Sequence, residues 1–271
     1  MKYIKVVCTA LALQVQIVIG QTNIGLKDYF RNLKTIEVII ENETYNFLFD
    51  TGGGVTLISP HIVDKLGKDS FGHNVEFRMS GEKLVFERCD SVSISISGLT
   101  FFHSEVAVFD IMSLLPKELN RIDGVISLKT FDKDKITLDL KNNLITVETE
   151  ESFKRRTENM KEINSRFSTS LSGTGLNIFL ELVARKHQWW FLFDSGNIID
   201  IKISKAIAMS WNKTLIDNTL KYAYHYRFGG ELMQTSMTID DIIYDGALNF
   251  DFIQSHQFAI SFREKRVFST R

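Results

Sequence analysis

Apolar residues fall in short runs along the chain, and these runs alternate with polar residues or end at glycine. Residues 34–40 and 45–49 predict two strands, and residues 92–96 alternate apolar and polar side chains with a period of two. Residues 75–86 predict a hairpin. A short helix is expected after Ser59-Pro60, since serine is a favoured N-cap and proline a favoured first helical residue. The chain is therefore expected to be mostly β.

The apolar pattern contains an internal repeat. The sequence Phe-Leu-Phe-Asp-Thr-Gly at 47–52 returns as Phe-Leu-Phe-Asp-Ser-Gly at 191–196. Asp123-Gly124 returns as Asp245-Gly246, and from there the two halves align without a gap. A repeat of this kind indicates one supersecondary unit used twice. We therefore predict an all-β fold of two pseudo-symmetric lobes, resembling each other, with a few short helices.

A change in composition marks the boundary between the two predicted lobes. Residues 149–170 are crowded with charged side chains and contain few apolar ones, which predicts a solvated linker that accommodates a short surface helix. The N-terminal lobe, which holds the first copy of the repeat, then spans residues 21–148. The C-terminal lobe, which holds the second copy, spans residues 171–271.

Residues 1–20 predict a signal peptide. Two lysines precede an apolar stretch that is short for a bilayer span and contains two glutamines. After cleavage before Gln21 we expect no stable membrane insertion; an uncleaved anchor is the alternative. Cys89 is then the one cysteine of the mature chain, so no internal disulfide is possible. An exported chain without disulfides is typical of a bacterial envelope, so a periplasmic or secreted location is expected.

Composition argues against several classes of function. A formal net charge of −1 opposes a main role in nucleic-acid binding, which requires a clustered basic excess. The six histidines are scattered without zinc-ligand spacing, so no metal is expected. Hydrophobic residues make up 44% of the chain, which is enough for a substantial core. The chemistry is therefore expected to reside in the repeated aspartate segments.

Each copy of the repeat ends an apolar run on an aspartate, Asp50 in the first and Asp194 in the second. A lone buried carboxylate is costly, so the simplest explanation is that the two meet. Two neighbouring carboxyls share one proton: the ionised one accepts a proton from water, and the other donates to a carbonyl or a leaving amide. The residues that follow are expected to support the loops with hydroxyls and close backbone approach: Thr51, Gly52, Ser195 and Gly196.

The triplets at 50–52 and 194–196, each with an apolar lead-in, resemble the catalytic loops of aspartic peptidases of the pepsin and retropepsin type. The apolar-Gly segments at 122–126 and 244–248 resemble those that pack beside the loops in that family. The resemblance covers residues 30–268 and is closest to the small two-lobe aspartyl proteases of bacterial envelopes. It implies an aspartic endopeptidase that hydrolyses peptide or protein substrates with water as nucleophile, without cofactor or metal. Because both halves lie in one chain, a monomer is expected.

The chain departs from the family pattern after each triplet and at the flap. Pepsins carry a serine or threonine after the triplet, whereas Gly53 and Asn197 stand there. With fewer donors to its carboxylates, the pair should keep its shared proton to higher pH, which predicts an optimum at roughly pH 5–7. Pepsins also cover the cleft with a Tyr-Gly flap. The hairpin around Gly81, which has no tyrosine nearby, and the segment 228–230 are the two candidates.

Two other functions stay open at this point. A catalytically inactive member of the same fold would bind peptides without cutting them, although both aspartates are present. An actin-like or sugar-kinase nucleotide-binding protein also uses paired strand-Asp-x-Gly turns, to hold phosphate and Mg²⁺, and residues 50–54 would suit such a loop. The export signal, the strands after each turn and the short length oppose this second alternative.

Overall fold

The structure is a computed structural model that describes residues 20–170, 172–212 and 221–271. The predicted signal peptide lies outside these ranges except for Gly20. The described chain consists largely of β-strands with four short α-helices, which confirms the predicted all-β class. No helix in these three ranges is long and apolar enough to cross a membrane.

The elements follow in chain order. The strands of the first half are β1 (Thr22–Gly25), β2 (Lys27–Asp28), β3 (Lys34–Ile40), β4 (Glu43–Asp50), β5 (Leu57–Ile58), β6 (Phe71–Phe77), β7 (Lys83–Ile96), β8 (Leu99–Val108), β9 (Gly124–Ser127), β10 (Lys135–Asp139) and β11 (Leu144–Glu148). They are followed by β12 (Lys161–Ile163), β13 (Ser165–Thr169), β14 (Leu176–Ala184), β15 (His187–Leu192), β16 (Ile201–Ser204), β17 (Lys221–Phe228), β18 (Glu231–Asp240), β19 (Gly246–Ala247), β20 (Gln257–Ser261) and β21 (Arg266–Thr270). The helices are α1 (Pro60–Lys65), α2 (Glu150–Thr157), α3 (Lys205–Asn212) and α4 (Phe250–Gln254). Short 3₁₀ turns lie at Phe30–Asn32, Ile111–Leu114, Leu128–Phe131 and Leu140–Asn142.

The strands of the described residues form three sheets. An eight-stranded sheet belongs to the first half, in the order β2-β3-β4-β9-β5-β8-β7-β6. A seven-stranded sheet belongs to the second half, in the order β13-β14-β15-β19-β16-β18-β17. The remaining sheet has six strands, in the order β1-β11-β10-β20-β21-β12, and draws them from both halves.

The internal repeat is visible in the pairing of the strands. In the first half β4 runs parallel to β9, with Phe47 opposite Gly124. In the second half β15 runs parallel to β19, with Phe191 opposite Gly246. Each glycine lies against a phenylalanine ring: an added Cβ would be 2.3 Å from a ring carbon of Phe47 at Gly124, and 2.2 Å from one of Phe191 at Gly246. A larger residue would collide with the ring, which explains why both copies have glycine there.

The six-stranded sheet contains the pseudo-twofold axis. Its strands β10 and β20 are equivalent in the sequence repeat, and they pair antiparallel with Thr137 opposite Ala259. Ile136 lies opposite Ile260, and the pairing is symmetric on the other side, so the axis passes between Thr137 and Ala259. Both isoleucines are fully buried and belong to one core that extends through the two halves. Packing on this shared core brings equivalent segments of the repeat together.

The charged segment 149–170 contains more regular structure than the predicted linker. Thr149 caps α2, since its hydroxyl accepts from the Ser152 N–H at 3.1 Å while the Ser152 hydroxyl accepts from the Thr149 N–H at 2.9 Å. The following residues form β12 and β13, which are edge strands of two different sheets. Edge strands commonly carry charged side chains. The charge pattern of this segment is therefore compatible with edge strands as well as with the predicted solvated linker. The division into lobes at this segment stays a prediction.

Candidate active site

Asp50 and Asp194 follow equivalent buried strands and line a single cavity. Asp50 is the last residue of β4, and Asp194 follows β15 after one intervening residue. Phe49 and Phe193, which directly precede them, are each 1% exposed. These buried rings anchor the strand ends, so the position of each carboxyl group is determined by the core. The cavity between them has a volume of about 420 Å³.

Thr51 and Ser195 join the two aspartate loops across the pseudo-twofold axis. The Thr51 N–H donates to Ser195 Oγ at 3.0 Å, and the Ser195 N–H donates to Thr51 Oγ1 at 2.9 Å. The Thr51 hydroxyl donates in turn to the Phe193 carbonyl at 2.8 Å. Thr51 is fully buried and Ser195 is 3% exposed, so water does not compete for these bonds. The reciprocal bonds fix the separation of the two aspartates.

Gly52 and Gly196 bring backbone N–H groups onto the carboxyls. The Gly52 N–H donates to Asp50 Oδ1 at 2.9 Å, and the Gly196 N–H contacts Asp194 Oδ1 at 2.9 Å and Asp50 Oδ1 at 3.1 Å. An added Cβ on Gly52 would lie 2.4 Å from Asp194 Cγ, and one on Gly196 would lie 2.6 Å from Asp50 Oδ2. The close approach of the loops therefore requires glycine at both positions.

We expect Gly52→Ala to reduce kcat/KM for a cleavable peptide at least about 100-fold, because the added methyl group would displace the Asp194 carboxyl from its partner. Gly25→Ala is the matched control, since an added Cβ there meets nothing within 4 Å and should leave kcat/KM unchanged. Circular dichroism of both variants verifies the fold. Full activity in Gly52→Ala would contradict the close packing of the two loops.

The proton affinity of both carboxyls is raised by their surroundings. Burial raises the pKa of Asp194 well above its ordinary value, and the neighbouring charge of Asp50 raises it further. Burial also raises the pKa of Asp50, but the N–H groups of Gly52 and Gly196 stabilise its charged form. The two side chains also hydrogen-bond to each other. Backbone N–H groups of Gly196 and Asn197 stabilise the charged form of Asp194 in the same way, so the two carboxyls share one proton.

The residues after the triplets supply no side-chain donor to the carboxyls. The side-chain amide of Asn197 donates to the carbonyls of Asp200 at 2.8 Å and Leu248 at 3.3 Å. Its backbone N–H donates to Asp194 Oδ1 at 3.1 Å. Gly53 has no side chain to donate. The predicted pH optimum depends on this absence of side-chain donors at Gly53 and Asn197. The optimum itself stays a prediction.

The hairpin of β6 and β7 forms one wall of the cavity. The Ile243 N–H donates to the Met79 carbonyl at 3.0 Å, which ties the hairpin turn to the second half of the chain. Gly81 packs there as well, since an added Cβ would lie 3.0 Å from Ile243 Cγ2. The other candidate flap, at 228–230, packs elsewhere, with a Cβ on Gly229 only 2.7 Å from Ile163 Cδ1. Of the two candidates, the hairpin around Gly81 borders the cavity.

Tyr244, the first residue of the second apolar-Gly segment, lines the cavity. Its ring packs edge-to-face on Phe179, with centroids 5.1 Å apart. Burial raises the pKa of its hydroxyl, and the charges of Glu76 and Asp194 add to the rise. The one sequence signal for Tyr244 is its position directly before the repeated Asp-Gly pair.

Comparisons with known proteins agree with this architecture. Residues 36–130, which include Asp50, match the sequence model of a family described as aspartyl protease. No curated protein matches the chain in sequence. Among solved structures, basic 7S globulin from soybean superposes with a TM-score of 0.58 at 8% identity, over 93% of this chain and 96% of its own. Conglutin gamma, a basic 7S globulin from lupine seeds, superposes with a TM-score of 0.59 at 8% identity, over 93% and 95%.

These comparisons establish the fold and leave the activity open. The family match ends before Asp194, and both solved structures are named as globulins rather than as peptidases. At 8% identity their likeness concerns architecture alone. The chain therefore has the two-lobe all-β fold of aspartic proteases, and its residues 36–130 match the aspartyl protease family.

Proposed function

We propose that the protein is an aspartic endopeptidase that hydrolyses peptide bonds with water activated between Asp50 and Asp194. The observation that carries this proposal is the pairing of two carboxyls in one cavity, each delivered by a copy of the repeat. One carboxyl is kept protonated by its surroundings while the other is ionised. A pair of this kind supplies a general base and a general acid at a single site.

In the proposed mechanism the ionised carboxylate is assigned to Asp50 and the shared proton to Asp194. The Asp50 carboxylate accepts a proton from water as the water oxygen attacks the carbonyl carbon of the peptide. Asp194 donates its proton to the carbonyl oxygen, and a tetrahedral diol forms. Asp50 then passes its proton to the amide nitrogen, the C–N bond breaks, and a diol hydroxyl returns a proton to Asp194. The pair ends with the single shared proton with which it began.

The deciding experiment is incubation with a random peptide library, read by mass spectrometry, with wild type beside Asp50→Ala. We expect new termini with the wild-type protein and none with the variant. Peptides that bind the wild-type protein but stay intact would favour the alternative of a catalytically inactive, peptide-binding member of the fold. Equal cleavage by wild type and Asp50→Ala would refute the proposed site.

The geometry of the aspartate loop opposes the nucleotide-binding alternative. A phosphate-binding loop directs free backbone N–H groups at the anion. Here the Gly52 N–H donates to Asp50 Oδ1 at 2.9 Å, and the Val55 N–H donates to the Gly53 carbonyl at 2.7 Å. A phosphate group at this place would also face two carboxyls. We therefore propose peptide or protein substrates, and neither nucleotide nor nucleic acid, as partners.

We expect a single chain to build the whole site, because the bonds between Thr51 and Ser195 join loops of the same chain. The rate of peptide cleavage should rise linearly with enzyme concentration, so that activity per mole is constant. Progress curves over a hundredfold dilution series measure this. A rate that rises with the square of the concentration would indicate a dimer in place of the proposed monomer.

We also propose that the protein acts after export, in the periplasm or outside the cell. The pattern of residues 1–20 supports this, since two lysines precede a short apolar stretch. N-terminal sequencing of protein recovered from the cell envelope tests the proposal. A mature terminus at Gln21 is expected, and recovery of the uncleaved chain from the cytoplasm would refute it.

A further inference from the structure

Glu76 places a carboxylate on the face of the β6–β7 hairpin that lines the cavity. Its cross-strand partner is Leu84, which also lines the cavity. The neighbouring pair of Val75 and Val85 points the other way, with exposures of 43% and 48%. Because side chains alternate between the two faces of a strand, Glu76 is directed inward by the register of the hairpin. An apolar residue would suit this half-buried position better, so the carboxylate calls for an explanation.

The charge of Glu76 is not neutralised by the protein. The two cationic side chains that line the cavity have other partners: Arg78 pairs with Glu82 at 3.3 Å, and Lys202 pairs with Asp240. Within the described residues, the Glu76 carboxylate forms no hydrogen bond or ion pair. Burial raises its pKa, with no cation nearby to oppose the rise. The cavity therefore contains an unpaired acid besides the aspartate pair.

Glu76 lines the same cavity as the aspartate pair. An added Cβ on Gly175 would lie 3.2 Å from Glu76 Oε1, so the carboxylate rests against the start of β14. Two residues further along, Asn177 lines the cavity with a buried side-chain oxygen that has no hydrogen-bond partner. The charges of Glu76 and Asp194 both act on the Tyr244 hydroxyl. Two acceptors without a hydrogen-bond partner among the described residues thus line the cavity that contains the aspartate pair.

We propose that Glu76, assisted by the side-chain oxygen of Asn177, selects substrates that carry a lysine or arginine side chain close to the scissile bond. A cationic group would donate hydrogen bonds to both acceptors and would neutralise the charge of Glu76. The hydrophobic residues of the same hairpin would cover the aliphatic stem of that side chain. This inference rests on the proposed peptidase function and specifies its substrate class.

The test compares matched peptides that differ at one position, with lysine or with norleucine, which has a similar length and no charge. In the wild-type protein we expect kcat/KM to favour lysine about tenfold or more at the position enriched in the library digest. In Glu76→Gln the ratio should fall to about one, and Glu76→Lys should favour glutamate. Glu87→Gln is the matched control, because it removes the same charge from an exposed site on the same hairpin and should keep the ratio.

The outcomes separate this inference from the proposed function. Cleavage without preference for lysine, or a preference that persists in Glu76→Gln, would overturn the role of Glu76 while leaving the peptidase intact. Absence of all cleavage would refute the peptidase. In that case calorimetric binding of the two peptides decides the role of Glu76: tighter binding of the lysine peptide, lost in Glu76→Gln, would support it, and equal binding would refute it.

Discussion

Replacement of Asp50 or Asp194 by asparagine is expected to reduce kcat/KM at least about 100-fold, because either change removes the shared proton from the pair. The amide has nearly the shape of the carboxyl and can still accept from the backbone N–H groups of the loops. In Asp50→Asn the base that activates water is lost, and in Asp194→Asn the acid that protonates the carbonyl oxygen is lost. Initial rates on a peptide found in the library digest measure both effects.

Asp241→Asn is the control for this prediction, since Asp241 is exposed near the cavity and should tolerate the change. Thermal unfolding of Asp194→Asn distinguishes a chemical defect from a folding defect. The raised pKa of Asp194 means that its ionisation opposes folding, so wild-type stability should fall as pH rises through that pKa. The asparagine variant lacks this loss and should be at least as stable at high pH. Retention of more than a few per cent of activity in either variant would refute the two-aspartate mechanism.

Gly53→Ser is expected to shift the pH profile of kcat/KM toward acid by about one unit, from the strength of a hydrogen bond to a charged group. An added Cβ at Gly53 would lie 3.4 Å from Asp50 Oδ2 and 3.4 Å from Val125 Cγ1, which are ordinary contacts. The serine oxygen, one bond further, can then donate to Asp50. A bond to the charged form lowers the proton affinity of the pair, so the profile should move toward acid.

Gly53→Ala separates the hydroxyl from the added bulk, since it introduces the same Cβ without a donor. Its pH profile should coincide with that of the wild-type protein, whose optimum we expect at roughly pH 5–7. An equal shift in both variants would show that packing, and not hydrogen bonding, sets the proton affinity of Asp50. A strongly acidic wild-type optimum would show that the missing donors at Gly53 and Asn197 do not control the pair.

The hydrophobic pattern was sufficient to predict the strand content and the paired aspartate segments. β3 spans the predicted residues 34–40, and the helix after Ser59 is confirmed as α1. These predictions succeeded because the alternation of side chains along a strand depends on which face is buried, whatever the identity of the partner strand. The repeated Asp-Gly pair was also visible in the sequence. The structure explains its glycines, since Gly124 and Gly246 both lie against a phenylalanine ring.

The pairing of the strands and the composition of the cavity wall were decided by the tertiary structure. The local hydrophobic pattern does not indicate that β10 pairs with β20 across the pseudo-twofold axis. It also does not indicate the edge strands within the charged segment. Glu76 and Tyr244 come from opposite halves; Tyr244 directly precedes a repeated Asp-Gly pair, whereas nothing near Glu76 in the sequence marks it as facing the cavity. Side chains so far apart in the chain meet only when both halves pack on their shared core. Their meeting therefore depends on the geometry of that core, which no local run of residues encodes.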